Sequence, residues 1–194
     1  TAGNIGYPIL SLRKPKKSDK DKELLISQIG DWDVAKWLTN VPYPYTEDDA
    51  KDWFETLQMK ELSLSIYLDD SLIGGIDLSQ DEDELYELGY WLGKAYWGKG
   101  YATEASKGLL HFAFQKLNSQ KIKSSCMKGN VNSEKVLTKL GFQMIGEGKK
   151  YCVSRKKKMN YIFLSFSSPV RLDKDNVIKA AERFNKKEEI WIPN

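Results

Sequence analysis

The spacing of apolar residues changes from a helical to a strand period at Leu62, and this change limits the fold more than any other feature of the chain. Before it, apolar residues recur at three- and four-residue intervals, as on one face of a helix: Ala50, Trp53, Phe54 and Leu57. After it, apolar and polar residues alternate, as in a half-buried strand, with apolar side chains at Leu62, Leu64, Ile66 and Leu68. The chain therefore combines helices with strands.

The alternation predicts a meander of three strands over Leu62–Leu68, Leu72–Leu78 and Leu85–Leu92. A short strand over Ile9–Arg13 and amphipathic helical segments over Lys20–Ile29 and Asp33–Leu38 precede this meander. After it we expect a helix, a strand, a second helix and a hairpin: Ala102–Leu117, Lys121–Met127, Ser133–Leu140, then Gln143–Val153 with Asn160–Phe166. This order predicts an α+β fold, in which helices flank a mixed, mostly antiparallel sheet.

The pattern divides the chain into one domain and two terminal segments. We expect a flexible N-terminus over residues 1–8, a domain over residues 9–166 and a helical extension over residues 167–194. The extension has apolar residues at helical spacing and then an apolar triplet: Val177, Ile178, Ala181 and Phe184, followed by Ile190, Trp191 and Ile192. Because a helix with one apolar face must cover something, the extension should pack on this subunit or on a second copy, which leaves a homodimer open.

Charge and cysteine content argue against several classes of function. Net charge is only +3, from 30 basic and 27 acidic residues, and no stripe of interleaved basic and aromatic residues suggests a nucleic-acid partner. The two cysteines, Cys126 and Cys152, and the single histidine, His111, lack the spacing of a zinc site. No apolar run approaches the roughly 20 residues of a membrane helix. We therefore predict no metal, no nucleic-acid or membrane partner and a cytoplasmic location.

A strand, a glycine turn and a helix follow one another directly between Tyr90 and Ala105. Amide groups in the first turn of a helix have no internal partner, and the helix dipole adds positive charge there, so such a turn suits phosphate. Gly98 and Gly100 permit positive φ and close approach of a ligand. A purely structural turn is the alternative. A dinucleotide loop fits poorly because Thr103 stands where the third glycine belongs, and no P-loop pattern exists.

The turn sequence Trp97–Ala102 resembles the acetyl-CoA signature of the GNAT superfamily, Gln/Arg-x-x-Gly-x-Gly/Ala. Gly100 and Ala102 match, whereas Trp97 replaces the usual Gln or Arg. Four stretches, in order and at matching intervals, resemble the ribosomal-protein-N-acetyltransferase-like branch: Pro42–Ala50, Leu88–Leu92, Gly98–Ala105 and Asn130–Phe142. The similarity extends over about Ile9 to Phe166.

The resemblance implies acetyl-CoA as the co-substrate, without a metal. In such folds the strand before the turn and the strand after the long helix splay apart, and the pantetheine arm lies between them. The implied coenzyme contacts are Tyr90, Trp91, Leu92, Trp97, Gly98, Lys99, Gly100, Tyr101, Ala102, Thr103, Asn130 and Ser133. For Lys99, a charge contact with the coenzyme and a solvated position in the loop are equally good interpretations. Asn130 and Ser133 are also ordinary residues for the start of a helix.

The implied reaction is direct attack of a primary amine, from a protein N-terminus or a small molecule, on the thioester. An amine is mostly protonated at pH 7, so a base must remove a proton, and Glu87 is the leading candidate on the strand that leads to the thioester. Ser133 is the catalytic candidate for steadying the leaving thiolate. Leu137 stands where many GNAT enzymes have a tyrosine, which excludes a tyrosine acid there. A catalytically idle acyl-CoA sensor or interaction module is the alternative.

Overall fold

A computed structural model describes residues 10–117, 119, 121–167 and 189–191 of the chain. The described strands are β1 Leu10–Arg13, β2 Ser63–Leu68, β3 Ser71–Gln80, β4 Tyr86–Leu92, β5 Lys121–Met127, β6 Gln143–Cys152, β7 Lys157–Ser167 and β8 Glu189–Trp191. The described α-helices are α1 Asp19–Ile29, α2 Trp32–Ala35, α3 Glu47–Met59, α4 Tyr101–Leu117 and α5 Val131–Leu140. None of these helices is both long and apolar enough to cross a membrane.

All the described strands belong to one sheet, in the order β6-β7-β5-β4-β3-β2-β1-β8. Every neighbouring pair is antiparallel except β4 and β5, which are parallel and joined through α4. The predicted α+β fold, a mixed and mostly antiparallel sheet with flanking helices, is confirmed. The predicted C-terminal helix lies outside the described residues, as does the predicted flexible segment over residues 1–8.

Helices cover both faces of the sheet and bury a separate core on each. On one face, Leu109 and Ala113 of α4 and Leu137 of α5 pack against the strands. On the other face, α1, α2 and α3 pack over a cluster that includes Trp91 of β4. Since successive side chains of a strand point to opposite faces, Trp91 lies in one core and its neighbour Leu92 in the other. The last residues of β4 therefore contact both layers.

The last described segment completes the edge of the sheet opposite β6. β8 pairs antiparallel with β1, with Leu12 opposite Ile190, and β1 pairs on its other side with β2. Leu10 and Leu12 are almost fully buried in the core beneath α4. Part of the predicted extension therefore belongs to the sheet itself.

Deletion of residues 168–194 should weaken the domain, because it removes the ladder that β8 forms with β1 and leaves β1 as an unpaired edge. We expect a lower Tm and more self-association at high protein concentration. Thermal unfolding and light scattering of the full chain and the deletion variant would measure both effects. An equally stable and monodisperse deletion variant would contradict this expectation.

Candidate active site

The parallel strands β4 and β5 pair along only part of their length. Their register joins Tyr86, Glu87 and Leu88 to Ile122, Lys123 and Ser124. At the last of these pairs the Ser124 hydroxyl donates to the Leu88 carbonyl, at 2.9 Å. Beyond it the two strands are no longer partners, so the backbone groups of Gly89–Leu92 have no partner in β5. The expected splayed strand pair is therefore present.

A cavity of about 920 Å³ opens where the two strands separate. Its lining includes all the predicted coenzyme contacts except Lys99, and it also includes Glu87. The Lys99 side chain is exposed, so its charge contact with the coenzyme stays a prediction. The separation of β4 from β5 thus brings together residues from β4, from the glycine turn and from the start of α5.

The glycine turn has the backbone geometry that the sequence predicted. Gly98 and Gly100 have φ of 72° and 82°, and no atom lies within 4 Å of a Cβ built on either residue. The first backbone hydrogen bond of α4 runs from the Glu104 amide to the Gly100 carbonyl, at 3.0 Å. The amides of residues 101–103 therefore lie outside the helical ladder and remain for an anion.

Trp97 fixes this turn to the end of β4. Its indole Nε1 donates to the Leu92 carbonyl at 2.9 Å, and its ring packs against the core on both faces of the sheet. The substitution of a tryptophan for Gln or Arg thus exchanges a polar side chain beside the turn for a rigid anchor. Because the single indole donor already has a partner, Trp97 has no side-chain donor left for a phosphate at the turn.

The start of α5 and strand β4 each place one hydroxyl group at the cavity. The Asn130 side chain accepts from the Ser133 amide at 3.3 Å and so caps the helix, while Ser133 Oγ lies 2.8 Å from Tyr90 Oη. Asn130 and Ser133 therefore form the cap at the start of α5 and also line the cavity. Burial raises the pKa of the Tyr90 phenol, which keeps it protonated and able to donate. Leu137 is fully buried, away from any such role.

Glu87 lies on the opposite face of β4 from Tyr90, within a small polar cluster. Its Oε1 accepts from Ser125 Oγ at 3.0 Å and lies 3.3 Å from Lys150 Nζ, which also donates to Ser125 Oγ at 2.8 Å. The sequence indicated Glu87 but not its partners. Ser125 is a common residue without a pattern, and Lys150 belongs to a basic run that is typical of a solvated turn.

Asp77 is a second carboxylate on this face that sequence reasoning missed. It stands opposite Gly89 across β3 and β4, and a Cβ on Gly89 would lie 2.8 Å from Asp77 Oδ1. Burial raises the pKa of Asp77 to about 6; Lys60 lowers it and Glu87 raises it. Among residues 10–117 and 121–167, no hydrogen bond or ion pair satisfies this carboxylate. The only sequence signal was one acidic residue within an apolar strand.

Two tryptophans from the segment before β2, Trp37 and Trp53, line the cavity. A third, Trp91, comes from β4. Two tyrosines of the loop before α3 do not line it, and one of them, Tyr43, instead lies against Trp32 with ring centroids 4.8 Å apart. The cavity lining therefore combines aromatic rings with two carboxylates, those of Asp77 and Glu87, and with two lysines, Lys60 and Lys150.

Gly100→Val should weaken acetyl-CoA binding at least tenfold, about 1.4 kcal/mol. A β-branched residue is strained at a φ of 82°, and its side chain would occupy the space in front of the free amides. Calorimetric titration of the folded variant would measure the change. The matched control is Gly146→Val in β6, a glycine outside the cavity lining at which a Cβ also meets no atom within 4 Å, and it should shift Kd less than threefold. Unchanged affinity in Gly100→Val would exclude the turn as the coenzyme site.

Asp77→Asn should stabilise the protein at pH 8. The pKa of Asp77 is raised in the folded state, so the folded protein binds a proton at this side chain more tightly than the unfolded chain does. The resulting stabilisation is complete below about pH 4 and is lost as pH rises through about 6. We expect the free energy of unfolding at pH 8 to increase by roughly 1–3 kcal/mol, and the gain to shrink towards pH 4.5. Urea unfolding at both pH values would measure it, with Asp83→Asn in the exposed β3–β4 loop as the control. A pH-independent difference would contradict the assigned burial.

Comparison with known proteins gives one consistent family. Residues 10–143 match the model of the acetyltransferase (GNAT) domain. An uncharacterised N-acetyltransferase, p20 of Bacillus licheniformis, is 31% identical over 146 residues, which cover 71% of this chain and 80% of the relative. The ribosomal-protein-serine acetyltransferase of Escherichia coli K12 is 30% identical over 83 residues, 42% of this chain and 46% of the relative. The crystal structure of the microcin C7 self-immunity acetyltransferase MccE, in complex with acetyl-CoA and AMP, superposes with a TM-score of 0.72 at 18% identity, covering 82% of this chain and 93% of that one.

Proposed function

Since the chain belongs to the GNAT family of acetyltransferases, we propose that it transfers the acetyl group of acetyl-CoA directly to a primary amine. Members of this family are acetyl-CoA-dependent acyltransferases, and similarity to ribosomal-protein acetyltransferases agrees with the branch indicated by the sequence. The acceptor that we propose is a protein N-terminus or a small-molecule amine. The E. coli relative is named for a ribosomal-protein acceptor, which supports the first of these classes.

The observation that carries this proposal is the separation of β4 from β5 over the cavity. A strand edge with unpaired amides and carbonyls is a binding surface for the amide groups of pantetheine, which would lie along Tyr90–Leu92. The free amides at the start of α4 would then receive the pyrophosphate. This arrangement directs the thioester towards the end of the cavity lined by Tyr90, Ser133 and Glu87.

The proposed reaction has one bond-forming and one bond-breaking event at the acetyl carbon. The neutral amine attacks the thioester carbonyl, the C–N bond forms, and the C–S bond breaks to release coenzyme A as a thiolate. Glu87 takes the proton that converts the ammonium form of the acceptor to the neutral amine, directly or through a water molecule. The nitrogen loses its second proton as the C–N bond forms, and this proton passes to the leaving thiolate, which becomes the thiol. The hydroxyl pair of Tyr90 and Ser133 donates a hydrogen bond that steadies the sulfur, and the raised pKa of Tyr90 keeps its phenol protonated for this role.

The Glu87 side chain has a structure suited to accepting a proton. One carboxylate oxygen takes both contacts, from Ser125 and from Lys150, and these contacts hold the group towards the cavity. Positioning of this kind restricts the side chain to few rotamers and so favours a defined proton path.

Glu87→Gln should lower kcat/KM for the amine by about 10²-fold below pH 8, because the amide keeps the shape of the side chain but cannot accept a proton. Activity should recover partly as pH rises, since more of the amine is already neutral, and acetyl-CoA affinity should stay unchanged. Steady-state kinetics from pH 6 to 9 would measure this, with Glu82→Gln in the exposed β3–β4 loop as control. A loss below threefold across the range would exclude Glu87 as the base.

An acceptor screen tests the proposed function as a whole. Release of free thiol from acetyl-CoA would be followed with small primary amines and with peptides that carry free or blocked N-termini. Turnover with free but not blocked amines supports the proposal. Tight binding of acetyl-CoA without turnover of any amine would favour the second candidate, an idle acyl-CoA sensor or interaction module. Two observations favour that candidate: Trp97 replaces the usual polar residue and its indole donor is already satisfied, and Leu137 replaces a tyrosine.

A further inference from the structure

We infer that the acceptor binds as an ammonium ion, that Asp77 is the residue which holds it, and that the preferred acceptors carry an apolar or aromatic group next to the amine. This inference rests on the proposed function, since it concerns the second substrate of the same cavity. Asp77 is a positioning residue in this scheme. Glu87 takes the proton, whereas Asp77 keeps its charge and holds the nitrogen beside it.

The first observation is the position of Asp77 on the sheet. It stands opposite Gly89, and Glu87 is the diagonal neighbour of Asp77 on the same face of β3 and β4. Diagonal neighbours in an antiparallel pair lie about 7–8 Å apart at Cα, so one ammonium group can contact both carboxylates. Because Gly89 has no side chain, the residue directly opposite Asp77 leaves Oδ1 uncovered, and Asp77 lines the cavity. The carboxylate is therefore accessible from the point where the strands separate.

The second observation is that the two carboxylates are satisfied differently. Glu87 has Ser125 and Lys150 within hydrogen-bond distance. Asp77 has no such partner among residues 10–117 and 121–167, and the nearest cationic influence is Lys60, just after α3. A partly buried carboxylate without a partner is destabilised, and an incoming cation would relieve this cost. The raised pKa of Asp77 reflects the same imbalance.

The third observation is the surface above the carboxylates. Trp53 and Trp91 belong to the core on the face of the sheet that carries Glu87, and Trp37 also lines the cavity. Aromatic rings pack against apolar groups and bind cations over their faces. Lys60 and Lys150 also line the cavity, which disfavours polycations such as long polyamines. The combination fits a single primary ammonium attached to an apolar or aromatic group.

The role of Asp77 can be separated from that of Glu87 by kinetics. Asp77→Asn should raise KM for the amine at least tenfold while kcat changes less than threefold, and Kd for acetyl-CoA should stay the same. Glu87→Gln should act mainly on kcat. Asp83→Asn, the same change in the exposed β3–β4 loop, is the control. Gly89→Ala keeps the charge of Asp77 but obstructs its Oδ1, so it should raise KM in the same direction.

Binding without chemistry gives a second readout. Calorimetry with benzylamine and benzyl alcohol, in the presence of coenzyme A, should show that the wild-type protein prefers the amine at least tenfold at pH 8. The preference for the amine should decline as pH falls through about 6, where Asp77 becomes protonated. Two charged groups act on the pKa of Asp77: Lys60 lowers it, and Glu87, which contacts Lys150, raises it. Asp77→Asn should bind the two ligands within threefold of each other at every pH.

The outcomes distinguish this inference from the function on which it rests. If the wild-type protein acetylates amines but Asp77→Asn keeps both its KM and its preference for benzylamine, Asp77 does not hold the acceptor, and the acetyltransferase function stands. A fall in kcat with unchanged KM would also overturn the inference, because Asp77 would then act in proton transfer. If the wild-type protein turns over no amine, the proposed function fails, whereas loss of the benzylamine preference in Asp77→Asn would still establish the cation site.

Discussion

The parallel pairing of β4 with β5 ends after three residue pairs, and the rest of the site depends on this short contact. If the ladder continued, the backbone of Gly89–Leu92 would be satisfied within the sheet and no cavity would open at its centre. The separation leaves hydrogen-bonding groups without partners in the middle of a folded domain. Such groups are costly unless a ligand or water satisfies them, which agrees with the proposed binding of the amide-rich pantetheine arm along this edge.

The alternation of side chains along β4 divides the site between the two faces of the sheet. Tyr90 and Leu92 point towards α4 and α5, the side of the glycine turn and the hydroxyl pair. Glu87 and Trp91 point towards the helices at the start of the chain, the side on which Trp53 packs. A coenzyme on one side and an amine on the other would therefore meet at the strand edge. This geometry agrees with direct transfer, in which both substrates are bound together.

Much of the fold could be predicted from the sequence, because it depends on local patterns. The meander, the long helix before β5 and the last hairpin have strong periodicity, and their ends differ from the prediction by a few residues: α4 begins at Tyr101 rather than Ala102, and β7 begins at Lys157 rather than Asn160. The segment predicted as a helix over Asp33–Leu38 is the shorter α2, Trp32–Ala35. The glycine turn was recognisable because only certain residues adopt its φ values.

The acceptor half of the site could not be predicted, because it depends on register between strands. The sequence identified Glu87 as a candidate but did not determine which face it occupies, since a shift of one residue reverses every side chain. Asp77, Ser125 and Lys150 meet Glu87 from three other strands, at sequence separations that no local pattern records. The hydrogen bond from the Trp97 indole to the Leu92 carbonyl also could not be predicted. Through this bond the residue that replaces Gln or Arg in the signature holds the turn against the end of β4.

The pairing of β1 with β8 has a consequence for how the protein is made. These strands come from opposite ends of the described chain, so the contact closes a loop that spans almost the whole domain. During synthesis β1 emerges from the ribosome before residues 189–191, and the edge that pairs with β8 stays exposed until these residues have also emerged. Until this pairing forms, the exposed edge of β1 can exchange strands with neighbouring nascent chains on the same messenger, and residues 189–191 then protect that edge.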